Sequence, residues 1–123
     1  MHEKIVLIAD DEEIIRRLIR RVLGNEYSVL EATDGEEAVS MTLNHKPDIV
    51  FMDIMMPKQD GYSACSIIKT DPRTSGIPVV MLTGLISELN EKLAKAVGAD
   101  GYIAKPFTAE DLLLAIDQFV KRP

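Results

Sequence analysis

Five short runs of aliphatic and β-branched residues alternate along the chain with five stretches of helical spacing, and few folds accommodate such a pattern. The apolar runs are "KIVLIA" (4–9), "YSVLE" (27–31), "DIVFMD" (48–53), "IPVVMLT" (77–83) and "GYIAK" (101–105). The first, third and fourth runs are almost continuously apolar, as expected for strands that helices cover on both faces of a sheet. The alternation therefore predicts a parallel α/β sheet with right-handed crossovers.

The segments between these runs carry apolar residues at spacings of three and four, which indicates amphipathic helices. The predicted helices span 11–24, 34–45, 61–70, 86–97 and 108–121. The apolar faces that we expect to pack on the sheet are formed by Ile14, Ile15, Leu18, Ile19 and Val22; by Ala38, Met41 and Leu43; by Ala64, Ile67 and Ile68; by Ile86, Leu89, Leu93, Ala96 and Val97; and by Leu112, Leu113, Ile116, Phe119 and Val120. Leu114 points away from the last of these faces.

The length and the strand count together favour one α/β domain. The 123 residues are enough for a single domain with a core, so we expect residues 1–123 to fold as one unit. Five βα units in one domain suit the flavodoxin-like strand order 2-1-3-4-5, with helices on both faces of the sheet.

Composition narrows the setting in which the chain works. No apolar run approaches the roughly 20 residues that a membrane span needs, and acids follow the first apolar run at once, unlike in a signal peptide. Cys65 is the only cysteine, so no internal disulfide can form. We therefore expect a cytoplasmic protein without membrane contact. The net charge of −6 argues against direct binding to nucleic acid.

Charged and hydroxyl side chains stand at the ends of four of the predicted strands. Asp10 and Asp11 follow the first strand, Asp53 ends the third, Thr83 ends the fourth and Lys105 ends the fifth. Ligands of such sheets bind at the carboxyl ends of the strands, where the strand order reverses between strands 1 and 3. The predicted fold thus brings three acids, a hydroxyl and an ammonium to one rim.

Each of these residues also has a purely structural explanation. Asp10 or Asp11 would serve as a cap for the first helix. Asp53 would end a strand and begin a turn, Thr83 would cap a turn or the next helix, and Lys105 would be a solvated strand end. The hypothesis of a common site fails only if all of these separate explanations apply at once, at the ends of four different strands.

The chemistry of the set favours a joint function. Three carboxylates in one cleft repel each other, and a divalent cation such as Mg²⁺, which prefers oxygen ligands, relieves that repulsion. A carboxylate can attack phosphorus to give an acyl phosphate, and the transfer then needs mainly positioning and neutralisation of charge. Lys105 would supply positive charge and Thr83 a hydrogen bond. No histidine base is needed, and we expect His2 and His45 at the surface.

Four segments of the chain, in order and correctly spaced, resemble the receiver domain of a two-component response regulator. They are "ADDEE", "DIVFMDIMMPKQDG", "PVVMLTG" and "GADGYIAKPF", and the resemblance covers essentially the whole chain. It implies a switch that a sensor histidine kinase or a phosphotransfer protein phosphorylates on Asp53. It also implies that the chain catalyses only its own phosphorylation and dephosphorylation and is not otherwise an enzyme.

The resemblance assigns roles at the acidic rim. It implies that Asp10 and Asp11 bind Mg²⁺ together with Asp53 and the backbone carbonyl of Met55. It implies further that Lys105 pairs with a phosphoryl oxygen.

The resemblance also implies how the signal leaves the site. Thr83 would move to contact the phosphoryl group, Tyr102 would turn inward, and the Lys105–Pro106 bond would be cis. The surface formed by the fourth helix, fifth strand and fifth helix would then change shape and control a partner or an effector domain. A single exposed leucine such as Leu114 is ordinary on a protein surface. The alternative is a contact in a phosphorylation-dependent dimer, because Leu114 lies on the helix that this family uses for dimers and partners.

Three positions refine these expectations. Gly84 follows the switch threonine where the family often has Ala or Ser, which leaves the geometry of the switch open. Met55 and Leu85 flank the path of the attacking water, and two bulky apolar side chains predict slow autodephosphorylation. The first helix normally helps to choose the kinase, and its candidates are Arg16, Arg17, Arg20 and Arg21; a solvated basic face is an equal explanation.

Other classes of protein share part of the pattern. A phosphohydrolase of the haloacid-dehalogenase type needs an acid two residues after its nucleophile, where this chain has Met55. A flavodoxin needs a loop rich in Ser, Thr and Gly after strand 1, where "DDEE" would repel the flavin phosphate. A receiver that folds without accepting phosphate is disfavoured by the complete set of site residues. The output is either a separate effector protein or a C-terminal output domain beyond this sequence.

Overall fold

Five strands alternate with five helices within residues 3–84 and 88–120, which are the residues described by the computed structural model. The strands are β1 Ile5–Ala9, β2 Ser28–Ala32, β3 Ile49–Asp53, β4 Val79–Thr83 and β5 Gly101–Ala104. The helices are α1 Glu13–Leu23, α2 Gly35–His45, α3 Gly61–Thr70, α4 Glu88–Ala96 and α5 Ala109–Phe119. None of these helices is long and apolar enough to cross a membrane.

The strands form one parallel sheet in the order β2-β1-β3-β4-β5, which confirms the predicted flavodoxin-like topology. The register pairs Ala9 with Met52, Asp53 with Leu82, and Thr83 with the last residue of β5. The carboxyl ends of β1, β3, β4 and β5 therefore lie side by side at one edge of the sheet.

Two hydrophobic layers cover the sheet, and alternate strand residues supply them. Met52 belongs to the layer beneath α2, α3 and α4, whereas Phe51 belongs to the layer beneath α1 and α5. Every residue of β3 and β4 is buried, as the continuous apolar runs predicted. Ile54 and Met56, in the loop after β3, are also buried and extend the first layer around the site edge.

The helix faces differ in part from those predicted. On α1, Ile19 and Leu23 are buried, but Ile14 is 72% exposed and Leu18 is also exposed, so placing the last two on the sheet was wrong. The helix has two apolar stripes, and helical spacing alone does not say which one packs on the sheet.

The contact faces of α3 and α5 combine large and small residues, and Ile68, Leu112 and Ile116 are buried as predicted. Cys65 of α3, Ala94 of α4 and Ala115 of α5 are buried, because a small side chain lets the helix approach the strands closely. Four residues that we expected to pack on the sheet are exposed instead: Ile67, Leu93, Ala96 and Leu113. Leu114 is exposed as predicted. Ile86 and the side chain of Leu89 lie outside the described residues.

Candidate functional site

Lys105 joins the two buried acids at the edge of the sheet. Its Nζ donates to Oδ2 of Asp10 at 2.9 Å and to Oδ1 of Asp53 at 3.2 Å. A third acid, Glu12, brings Oε1 to 3.9 Å from the same nitrogen. One ammonium therefore faces three carboxylates that come from two different strand ends.

Asp10 is held by one hydrogen bond of its backbone and one of its side chain. Its N–H donates to the carbonyl of Ala32 on β2 at 3.0 Å, and its Oδ1 accepts from the N–H of Glu12 at 2.9 Å. Glu12 is the N-cap residue of α1, and its own side chain makes no capping bond. Asp10 thus shapes the turn into α1 with one oxygen and offers the other to Lys105.

Asp53 ends β3 and is only 5% exposed. A glycine at position 61 makes this packing possible, because any Cβ there would clash with the carbonyl oxygen of Asp53. The Gly61 N–H donates to the carbonyl of Ile54 at 2.8 Å, which closes the loop after the strand. The first turn of α3 therefore lies directly against the strand end that carries the carboxylate.

Lys105 follows the last residue of β5 and stays attached to the neighbouring strand. Its N–H donates to the carbonyl of Thr83, and the Lys105–Pro106 bond is cis, as the resemblance implied. Only 16% of its side chain is exposed, so the ammonium lies within the cleft.

Burial and like charge shift the ionisation of the cleft. Burial, followed by the charge of Asp10, raises the pKa of Asp53 to about 6, against the pull of Lys105. Burial alone would lower the pKa of Lys105, but its hydrogen bonds and charge interactions with Asp10 and Asp53 outweigh that effect and raise it. Among the described residues, Lys105 faces Asp10, Glu12 and Asp53, so this part of the cleft carries net negative charge.

The acids at this edge suit a hard divalent cation. Carboxylate oxygens of Asp10, Asp11 and Glu12 all lie within 4.8 Å of one another, and Asp11 and Glu12 are exposed to water. Asp53 shares Lys105 with Asp10 and therefore lies close to the same group. Several carboxylates with open positions for water are the donor set that Mg²⁺ prefers, so these residues fit the ion that the resemblance implies.

Glu12 was not among the predicted ligands, although it is the third acid of "DDEE". A run of acids after a strand predicts a site at the sheet edge, but it does not predict which of the acids face the cleft. That depends on the turn in which Asp10 accepts a hydrogen bond from the Glu12 backbone. The side chain of Met55 is 76% exposed beside the acidic group, and the role of its carbonyl as a ligand stays a prediction.

The predicted switch residues Thr83 and Tyr102 lie on the neighbouring strands β4 and β5. Thr83 is buried at the end of β4. Tyr102 on β5 is half-buried, packs against the first hydrophobic layer and lines two grooves, one towards α5 and one towards α4. Gly84 is exposed, whereas Leu85 lies outside the described residues.

The histidines and the arginines of α1 were also expected at the surface, and this holds for His45 but only in part for the arginines. His45 is exposed at the end of α2, as expected, and His2 lies outside the described residues. On α1, Arg16 and Arg20 are not simply solvated, since both pair with Glu31 of β2. Sequence reasoning missed this pairing because Glu31 is brought to α1 only by the fold.

Comparison with known proteins agrees with the geometry. Residues 6–117 match the family described as "Response regulator receiver domain". Chemotaxis protein CheY of Halobacterium salinarum is 43% identical over 114 residues, which are 92% of this chain and 93% of that protein. The probable transcriptional regulator ycf27 of Guillardia theta is 41% identical over 118 residues, which are 95% of this chain but 45% of that protein.

A solved structure shows the same fold around a metal. The receiver domain of sensor histidine kinase PA1611 from Pseudomonas aeruginosa, with a magnesium ion coordinated in its active-site cleft, has a TM-score of 0.88. Its sequence is 25% identical, and the superposition covers 96% of this chain and 98% of that one. The chain spans about half the length of the ycf27 regulators that it matches. By sequence, topology and arrangement of the strand-end residues, the chain belongs to the receiver-domain family of two-component response regulators.

Proposed function

We propose that this chain is a signalling switch that accepts a phosphoryl group on Asp53 in a reaction that depends on Mg²⁺. One observation carries the proposal: a buried carboxylate at a strand end contacts an ammonium that also binds a second buried carboxylate. The cluster is anionic and open to water on one side, so it suits an incoming phosphoryl group only with added positive charge.

Asp53 acts as the nucleophile. With its pKa at about 6, the carboxylate is mostly ionised at neutral pH and yet more basic than an ordinary aspartate. An oxygen of Asp53 forms the new P–O bond while the P–N bond of a phosphohistidine donor breaks. The departing imidazole keeps the electron pair and takes up a proton, which leaves an acyl phosphate on the domain.

Lys105 and Thr83 stabilise the phosphorylated form. Lys105 Nζ already lies 3.2 Å from the oxygen of Asp53, so it pairs with a phosphoryl oxygen after a small displacement. Thr83, buried on the neighbouring strand, donates its hydroxyl to another phosphoryl oxygen.

Asp10, Asp11 and Asp53 would hold the Mg²⁺ ion, with the Met55 carbonyl as a further ligand. When bound, the ion supplies charge that offsets the phosphoryl oxygens. Asp10 orients the rim by its hydrogen bond to Glu12 and its ion pair with Lys105.

Phosphorylation adds about −1.5 to −2 charge at the rim and draws Thr83 toward it. Tyr102 then turns into the space that Thr83 leaves, and the α4–β5–α5 surface changes shape. Tyr102 suits this role because it lines the grooves on both sides of β5. The switch is a two-state equilibrium biased by a local charge event.

The partners that we propose follow from the same surfaces. A sensor histidine kinase or a phosphotransfer protein docks on the exposed apolar part of α1, where Ile14 and Leu18 lie near Arg21. The output is a separate effector, as suits the near full-length match to CheY, or a C-terminal output domain, as suits the partial match to ycf27. Exposed Leu114 is a contact in a phosphorylation-dependent dimer.

The domain works in the cytoplasm, contacts neither membrane nor nucleic acid directly, and acts on no substrate other than its own phosphoryl group. Its acidic net charge of −6 supports the lack of direct contact with nucleic acid.

Mass spectrometry after incubation with a small phosphodonor and Mg²⁺ tests the proposal. We expect one added phosphoryl group in the wild type and in Asp117→Asn, which removes an exposed carboxylate from α5. We expect none in Asp53→Asn or in the wild type with EDTA. A wild type that stays unmodified, or an Asp53→Asn chain that is still modified, contradicts the proposal.

A further inference from the structure

The side chain of Arg16 on α1 contacts the backbone of the loop that carries Asp10 and Asp11. Its Nη1 donates to the carbonyl oxygen of Asp10 at 2.8 Å, and its Nε donates to Oε1 of Glu31 at 2.9 Å. Only 14% of the Arg16 side chain is exposed, whereas the side chain of Arg17 is 77% exposed and pairs with Glu13 on the same helix. Adjacent arginines on one helix are therefore in different environments, and only Arg16 contacts the site.

Glu31 fixes the orientation of Arg16. It lies on β2, where it pairs in register with Ile8 of β1, two residues before Asp10. Its second oxygen, Oε2, accepts from Nε of Arg20 at 2.6 Å. Burial alone would raise the pKa of Glu31, but hydrogen bonds from Arg20 and Arg16 lower it, so the carboxylate stays charged between two guanidinium groups.

The bond from Arg16 holds a backbone carbonyl that lies just beyond the end of β1. The N–H of Asp10 still bonds to Ala32 of β2, but β1 ends at Ala9. Arg16 holds the Asp10 carbonyl at this point, so both polar groups of the Asp10 peptide backbone are fixed. The carboxylate then has little freedom except rotation of its own side chain, which places Oδ2 beside Lys105.

We propose that Arg16 is a positioning residue of the phosphorylation site: it holds the loop after β1 so that Asp10 and Asp11 face the cleft, and Glu31 orients Arg16. This inference rests on the proposed function and adds two residues outside the acidic cluster to it. Arg16 acts through the Asp10 backbone and does not contact the reacting atoms.

Charge and geometry make opposite predictions for Arg16, which allows them to be separated. The positive charge of Arg16 near three acids weakens the binding of a cation, whereas the hydrogen bond to Asp10 strengthens it by preorganising the ligands. Arg16→Lys keeps the charge but loses the planar fork that reaches Asp10 and Glu31 together. A change in Mg²⁺ affinity in Arg16→Lys therefore reports geometry and not charge.

Isothermal titration of the full chain with MgCl₂ is the primary measurement, with Arg17→Lys as the matched control on the same helix. We expect Arg16→Lys to weaken Mg²⁺ binding by about tenfold, the lower end for loss of a group that supports a metal ligand. We expect a smaller loss in Glu31→Gln and wild-type affinity in Arg17→Lys. Without metal, the NMR amide signals of Asp10 and Asp11 should shift in Arg16→Lys and stay in place in Arg17→Lys.

Wild-type Mg²⁺ affinity in Arg16→Lys, or an equal loss in Arg17→Lys, overturns the inference. If circular dichroism shows that Arg16→Lys is unfolded, Glu31→Gln decides by the same criterion. Phosphorylation of Asp53 with no dependence on Arg16 refutes this inference alone, whereas Mg²⁺ binding that depends on Arg16 without phosphorylation of Asp53 refutes the proposed function alone.

Discussion

Replacing Asp53 with asparagine should make the protein more stable in the absence of divalent cations. The ionised carboxylate is buried beside Asp10, which raises its pKa from 3.8 to about 6. One pKa unit corresponds to about 1.4 kcal/mol, so this shift amounts to roughly 3 kcal/mol of destabilisation when Asp53 is charged. Asparagine has the same shape, carries no charge and still offers an oxygen to Lys105. Water and side-chain motion screen part of this electrostatic cost. We therefore expect Asp53→Asn to raise the free energy of unfolding by about 2 kcal/mol.

The sign of the pH dependence follows from the direction of the shift. An acid with a raised pKa in the folded state binds its proton more tightly when folded, so the folded state is favoured at low pH. That contribution is lost as the pH rises from the ordinary pKa of 3.8 through the folded value of about 6. The advantage of Asp53→Asn should therefore be full at pH 7.5 and nearly absent at about pH 4.

Urea denaturation followed by circular dichroism in EDTA measures this difference at several pH values. Glu91→Gln is the matched control, since it removes one negative charge from an exposed position on α4. Its effect should stay within about 0.5 kcal/mol at every pH. If Asp53→Asn is no more stable than the wild type at pH 7.5, or if its gain does not shrink on acidification, burial and repulsion do not govern this carboxylate.

Four other changes test the site, the core and the surface. Lys105→Met should lower the free energy of unfolding by about 3 kcal/mol in EDTA, because it leaves buried charge unpaired; an unchanged urea midpoint contradicts this. Cys65 is buried and its pKa is raised to about 11, so an aromatic disulfide reagent should label it only in urea, and rapid labelling of the native protein would be inconsistent with that burial. Met55→Asn combined with Leu85→Gln should shorten the half-life of the phosphoryl group, measured by phosphate release; an unchanged half-life of seconds excludes slow dephosphorylation by apolar shielding. Leu114→Glu should abolish phosphorylation-dependent dimers in sedimentation experiments, and dimers that persist rule out that contact.

The topology and the strand-end residues were predictable from sequence because both depend on features that stay local. A buried parallel strand reads as a continuous apolar run, and a polar residue at its end must lie at the sheet edge. The strand order brings Lys105, Asp10 and Asp53 to one edge of the sheet, but β4 lies between β3 and β5, so the contact also needs the long side chain of Lys105.

The helix faces were less predictable, because periodicity gives the spacing of apolar residues but not their partner. On α1, Ile15 and Ile19 are four residues apart and pack in the second hydrophobic layer. Ile14 and Leu18 have the same spacing and yet are exposed. Packing on the sheet selects one stripe even between residues of the same kind, since Ile68 of α3 is buried and Ile67 is exposed. Distinguishing the two stripes requires knowing which strands lie beneath the helix.

The pairing of Arg16 and Arg20 with Glu31 was the least predictable contact, because it joins two elements whose neighbourhood depends on the fold. Arg16 and Arg20 gave no sign in the sequence of their pairing with Glu31, which the β1–β2 register places beside α1. A basic helix face alone does not distinguish a docking surface from an internal network.

The same arrangement makes Asp53 both unfavourable for stability and suited to phosphoryl transfer. Burial and the charge of Asp10 raise its basicity, which strengthens a nucleophile, and a pKa of about 6 still leaves it ionised at neutral pH. Lys105 cannot neutralise the cluster because it is shared between Asp10 and Asp53. The remaining negative charge favours a divalent cation at the rim. A site in which one ammonium fully paired one acid would be more stable, and it would have less need of a cation.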